Sequence, residues 1–229
     1  MGKRYKDALK TFDRQRYYPM AEALKLVKDN AKAKFDETIE VHFRLGIDPR
    51  HSDQQIRTTV MLPHGTGKTI RILAFVEEGQ EEATLAAGAD VIGSDEVINQ
   101  IRNDGWLEFD ATIATPPMMR KIGPIARILG PRGLMPNPKA GTVVPPADIP
   151  RVISELKAGR VEFRNDRTGN LHIPVGKSSF TQEQLAENLQ TLVDAIQAAK
   201  PESQKGAYVR RMTLTSTMGP GVRVESTIN

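Results

Sequence analysis

The hydrophobic period of this chain changes twice along its length, and that change constrains the fold more than any single motif. Near the start, Ile39, Val41, Phe43, Leu45 and Ile47 alternate with Glu40, His42, Arg44 and Gly46. Alternation of this kind describes a strand with one buried and one wet face, the habit of antiparallel sheets. Between residues 70 and 76 the pattern becomes nearly continuous: Ile70-Arg71-Ile72-Leu73-Ala74-Phe75-Val76. Such a strand is covered on both faces, as in a parallel α/β layer. Alternation then returns in Val161 and Phe163 and in Leu171, Ile173 and Val175. An insertion satisfies both patterns: an α+β domain built from residues 1–66 and 159–229, interrupted by an α/β domain at 67–158.

Local signals fill in this frame. In the middle, residues 81–87 read as a helix closed by Gly88, and 89–93 as a second strand. Ser94 caps a helix with Asp95 and Glu96 in its first turn and Val97, Ile98 and Ile101 on one side. Residues 110–115 read as a third strand, and Pro116-Pro117 opens a helix running to Leu129. Strand alternating with helix is the rhythm of a parallel layer. In the flanks, Ile56, Val60 and Leu62 read as the partner of the first strand, after a turn at Asp48-Pro49. Asp166-Arg167-Thr168-Gly169 reads as the turn of a hairpin. Thr181 with Gln184 forms a capping box, followed by Leu185, Leu189, Leu192, Val193 and Ile196 at helical spacing. Gly65, Gly67 and Gly159 mark the two crossings between domains and suit a hinge.

Composition narrows the function. With no cysteine among 229 residues, disulfides, thiolate metal sites and cysteine nucleophiles are excluded, which fits a reducing cytoplasm. No apolar run approaches the roughly 20 residues needed to cross a bilayer, and the basic start lacks the apolar stretch of a secretory signal. Net charge is +4 but unevenly spread. Residues 1–66 carry 13 Lys+Arg against 9 Asp+Glu, residues 67–158 carry 10 against 12, and residues 159–229 carry 9 against 7. The two ends together suit a polyanion; ordinary solvated charge reads the same way.

Enzymatic motifs fail on inspection. His64-Gly65-Thr66-Gly67-Lys68-Thr69 resembles the end of a phosphate-binding loop, but Leu62 stands where its first glycine belongs and a strand follows. Gly176-Lys177-Ser178 fails likewise, with Leu171 in that place. The four histidines show no metal-ligand spacing, and Gly-x-Ser-x-Gly is absent. No catalytic residue, metal site or cofactor is expected. Two other stretches invite a ligand. The loop at 130–141, rich in Pro and Gly and following Arg120, Lys121 and Arg127, could meet phosphates or a protein surface, or serve as a crossover. Thr215-Ser216-Thr217-Met218-Gly219-Pro220-Gly221 leaves hydroxyls, a thioether and backbone amides at a strand end, suited to a sugar-phosphate backbone. An ordinary hairpin turn would read the same.

Taken in order, several dispersed stretches resemble the bacterial family of large-subunit ribosomal protein one, the protein of the mobile stalk. They are Lys34-Phe35-Asp36-Glu37-Thr38, Leu45-Gly46-Ile47-Asp48-Pro49, Leu62-Pro63-His64-Gly65 and residues 128–142. Residues 157–166, Val175-Gly176-Lys177 and residues 215–220 complete the set. The resemblance implies the two-domain insertion, with a Rossmann-like inserted domain that binds no dinucleotide. It also implies a terminal domain that binds the stalk of large-subunit ribosomal RNA through Lys34, Phe35, Thr38, Ser179, Thr215, Thr217, Met218 and Gly219, with Asp166 and Lys177 beside them. For Phe35 the alternative is core packing. The resemblance further implies a cytoplasmic, ribosome-bound protein, monomeric in isolation. It would aid release of deacylated tRNA from the exit site and repress its own operon's mRNA. Gly221, where relatives can carry serine, departs from the pattern beyond the contact core. Two other classes remain: a nucleotide-dependent enzyme using the middle domain, which would bind nucleotide saturably, and a protein-binding module, whose RNA affinity would be weak and insensitive to salt.

Overall fold

The computed structural model describes residues 2–225. Its chain opens with helices α1 (Lys3–Ala8) and α2 (Met20–Asn30), then strands β1 (Thr38–Leu45), β2 (Arg57–Met61) and β3 (Ile72–Phe75). Next come α3 (Glu81–Ala86), β4 (Val91–Ile92), α4 (Asp95–Asn103), β5 (Ala111–Ala114), α5 (Met119–Ile122), α6 (Ala126–Leu129) and α7 (Ile149–Ala158). Strands β6 (Arg160–Arg164) and β7 (Asn170–Lys177), helix α8 (Gln182–Ala198), and strands β8 (Val209–Ser216) and β9 (Val222–Val224) complete it.

These elements fall into two compact units, one holding the described residues up to Gly67 and from Gly159 onward, the other Lys68–Ala158. The division lies one residue beyond the one read from sequence. Gly67 packs so tightly on Lys177 and Phe180 that a Cβ there would meet their side chains at 2.7–2.8 Å.

In the terminal unit an antiparallel sheet runs in the order β7-β1-β8-β9, so the first alternating strand is central. Its inward side chains, Ile39, Val41, Phe43 and Leu45, are buried with Leu171, Ile173, Val175, Met212, Leu214, Val222 and Val224. Over them pack Ala23, Leu24 and Val27 of α2 and the apolar stripe of α8, whose Thr181–Gln184 capping box forms as expected. Helix α2 is not among the elements expected from sequence, although Ala23, Leu24 and Val27 stand at helical spacing.

Two strand pairings differ from the expectation. β2 joins β6 in a separate two-stranded ribbon, with Val60 opposite Val161. β1 has both neighbours, β7 and β8, supplied by the far end of the chain. For the same reason β6 and β7 are not a hairpin ladder. They belong to different sheets, and the 166–169 turn redirects the chain between them.

In the inserted unit three parallel strands run in the order β4-β3-β5. β3 is buried throughout, and its residues alternate between two cores. Ile72 and Ala74 face one that includes Ile149, Val152 and Ile153, while Leu73 and Phe75 face the other with Ile101, Ile122, Ile125 and Leu129. The continuous apolar run thus has a cover on each side. Ser94 caps α4, its hydroxyl accepting from the Val97 amide. The expected helix to Leu129 is broken into α5, a 3-10 turn at Gly123–Ile125, and α6. Pro124 lacks the amide that would continue it. Among the described residues no helix is long and apolar enough to cross a membrane.

Candidate nucleic-acid interface

At one end of the terminal sheet, three segments distant in sequence are tied together through two carboxylates. Glu37 is only 1% exposed. Its carboxylate accepts from the Ala33 amide at 2.8 Å, the Ser216 hydroxyl at 2.8 Å and the Met218 amide at 2.9 Å. Its backbone carbonyl takes the Ser178 amide at 2.8 Å. Burial pushes its pKa up, but the hydrogen bonds from Met218, Ala33 and Ser216, with the Arg4 charge, more than offset this and hold it below its usual value. Asp36, beside it, accepts from the Ser179 hydroxyl at 2.7 Å and amide at 3.0 Å and from the Ser178 hydroxyl at 2.8 Å. Those bonds, the Ser179 hydroxyl first, lower its pKa as well.

A second clamp joins Thr38 and Thr217. The Thr38 amide donates to the Thr217 hydroxyl at 3.0 Å, and the Thr217 amide donates to the Thr38 carbonyl at 3.0 Å. Lys177 donates to the Thr38 hydroxyl at 2.9 Å. Thr215 donates across the turn to the Ser216 and Gly219 carbonyls, and the Gly219 amide closes the turn on Ser216 at 3.1 Å. A Cβ on Gly219 would lie 2.5 Å from the Ser216 hydroxyl, so only glycine leaves that oxygen free to reach Glu37.

This network changes what the individual residues offer. The hydroxyls of Thr215, Thr217 and Ser179, expected to face a ligand, are each engaged in holding the edge together. What projects from it are Lys34, Phe35 and Met218, the last two 55% and 54% exposed. Phe35 is therefore no core residue. Two large apolar groups held in water beside a cation suit stacking on bases and riboses next to phosphates.

Asp166 does not join this cluster. It lies beyond the opposite end of β7 from Lys177, and the strand's eight residues span roughly 25 Å. Its carboxylate is occupied by its own turn, accepting from the amides of Thr168 and Asn170 at 2.8 Å and from both side chains. Burial opposes ionisation there, yet these bonds lower its pKa far below the ordinary carboxylate value. On the outward face between the two ends, His42 and His172 meet at 2.7 Å through their Nδ1 atoms, with Glu40 and Asp166 at 3.7 and 3.6 Å from the outer nitrogens. Burial, and then the His172 charge, lower the pKa of His42. No group of three or more metal-ligating side chains occurs among the described residues.

Glu37, Asp36 and Ser216 were missed as organisers, though a signal existed. Glu37 continues the buried phase of Ile39, Val41 and Phe43, so its carboxylate had to enter the protein and find donors.

The described residues thus form an α+β unit interrupted by a parallel α/β layer, with one pre-formed polar edge on the α+β unit. Over residues 27–220 the chain matches the Ribosomal protein L1p/L10e family, and it belongs to that family. It is 59% identical over 224 residues to the large ribosomal subunit protein uL1 of Chloroflexus aggregans (strain MD-66 / DSM 9485), covering 98% of this chain and 94% of the relative. The uL1 protein of Chloroflexus aurantiacus (strain ATCC 29366 / DSM 635 / J-10-fl) matches to the same extent. The family is structural and non-enzymatic, in accord with the failed catalytic motifs.

Proposed function

We propose that this chain is a structural constituent of the large ribosomal subunit in the cytoplasm, and that its terminal unit grips the stalk region of large-subunit ribosomal RNA. One observation carries the reading: the Glu37-centred edge is locked internally while Lys34, Phe35 and Met218 stand free in water. A surface fixed in advance binds without the entropy cost of ordering itself. Lys34 answers phosphates, Phe35 and Met218 lie against bases and sugars, and the locked hydroxyls keep spare lone pairs for 2′-hydroxyls.

The test is Phe35→Ala and Met218→Ala in the full chain, binding measured on a stalk RNA fragment. Each should weaken binding by about 1–3 kcal/mol, the usual worth of one base stacked on a side chain, without moving the unfolding midpoint. Unchanged affinity with an intact fold removes the edge from the interface.

Finer roles rest on the family resemblance. The protein supports release of deacylated tRNA from the exit site and represses its own operon by binding a messenger segment that copies the ribosomal site. It is monomeric off the ribosome. Gly65, Gly67 and Gly159 are the proposed hinge points between the units, and the Gly65 carbonyl accepts from the Asn188 side chain at 2.9 Å. Small-angle scattering of free and RNA-bound protein tests the hinge: a single unchanged interdomain distance counts against it.

A further inference from the structure

The inserted unit is electrically divided in a way that the terminal-unit reading does not use. From residue 111 to residue 147 there is no Asp or Glu, while Arg120, Lys121, Arg127, Arg132 and Lys139 all fall there. Every one of the five is exposed and, among the described residues, none has an ion-pair partner. The unit's remaining cations behave differently. Lys68 pairs with Asp110, Arg71 with Glu108, Arg151 with Glu155 and Asp148, and Lys157 with Asp90. Arg102 bonds Asn99. A unit with more acidic than basic residues therefore carries all of its cations without an ion-pair partner, Arg102 apart, on one segment.

That segment is also rigid. Ile122, Ile125 and Leu129 are fully buried beneath it, and Leu134 and Met135 pack on the same core. The Thr112 hydroxyl donates to the Leu134 carbonyl, the Leu134 amide to Leu129 at 3.0 Å, and the Asn137 amide to the Thr142 hydroxyl at 2.8 Å. Protein-binding faces centre on aromatic or aliphatic anchors. The only exposed large hydrophobic side chain among the described residues of this unit is Leu85, outside the segment.

We infer that the 120–139 face is a second nucleic-acid surface, reading the phosphodiester backbone of RNA by charge and without base specificity. The inference stands independently of the Phe35–Met218 edge. Its chemistry is shared by the stalk RNA and by tRNA, and the test separates them. The full chain and a variant carrying Arg120→Gln, Lys121→Gln, Arg127→Gln, Arg132→Gln and Lys139→Gln are titrated at several salt concentrations. The probes are a stalk RNA fragment, bulk tRNA and polyglutamate.

Each phosphate released from its counterions contributes about 0.7–0.9 to the slope of log K on log salt. The variant should flatten that slope by roughly 2–4 on at least one of the two RNAs, with its unfolding midpoint unchanged. Flattening on the stalk fragment assigns the face to ribosomal RNA, and flattening on tRNA alone assigns it to tRNA. Equal slopes for both proteins on both RNAs overturn the inference. So does polyglutamate binding as tight as RNA and lost in the same variant, which would mark an acidic protein as the partner. Met218→Ala lowers only the specific stalk affinity, so failure of the terminal-unit reading shows separately.

Discussion

Replacing Glu37 by Gln removes the charge at the centre of the proposed interface while keeping its shape. Two acceptor oxygens then become one oxygen and one NH2 group. If the NH2 faces Ala33, that amide meets a donor where it had an acceptor at 2.8 Å. If it faces the other way, the Met218 amide does, having bonded at 2.9 Å. Either way one partly buried backbone N–H loses its acceptor, at about 1–3 kcal/mol. The remaining bonds fall from charge-assisted to neutral strength, roughly a further 1 kcal/mol. The terminal unit should therefore lose about 2–4 kcal/mol, read from the urea midpoint of the full chain at neutral pH. RNA affinity should fall by about 1 kcal/mol as Phe35 and Met218 lose their fixed spacing. Glu37→Ala, which leaves a cavity and two orphaned amides, should cost more than Glu37→Gln. A loss below about 0.5 kcal/mol for Glu37→Gln, a level typical of inert surface changes, would refute the argument.

Acid should weaken the terminal unit by a related route. The pKa values of Glu37, Asp36, Asp166 and His42 all lie below their usual values, so each group binds protons less readily folded than unfolded. Their stabilisation is complete above the unfolded values and is lost as pH falls, beginning with His42 below 6.5 and continuing through the carboxylates below 4.5 and 3.8. A midpoint that rises between pH 6.5 and 4 would contradict this sign. Gly159→Ala should destabilise by more than about 2 kcal/mol, because φ is +110° and a Cβ would lie 2.3 Å from the Gly65 Cα. Thermal unfolding within a degree or two of the parent would show that the two crossings do not pack this closely.

Much of this fold could be read from hydrophobic period alone. The Ile39–Leu45 alternation and the Ile72–Phe75 run each specify how many faces their strand buries, and the structure gives both the cover they require. Strand partners were harder. Closeness in sequence points Val60 to β1, but β1 is central and its two edges are filled by β7 and β8. Register over more than a hundred residues leaves no local mark. At the interface, residue types were legible and their states were not. Thr217 and Ser179 look like free hydroxyls, yet both are engaged within the protein, Thr217 with the Thr38 backbone and Ser179 with the Asp36 carboxylate, and those partners lie far from them in sequence. Asp166 is the last residue of a matching stretch, but the geometry of β7 places it far from Lys177.

The most direct measurement of the central claim is made at the Met218 methyl group. In the full chain, its resonance should shift on titration with stalk RNA, saturate at one equivalent and show contacts to RNA protons. The methyl of Met212, 2% exposed in the core beneath the same strand, should hardly move. A Met218 signal that stays in place while the RNA is fully bound would show that the chain holds its nucleic acid elsewhere.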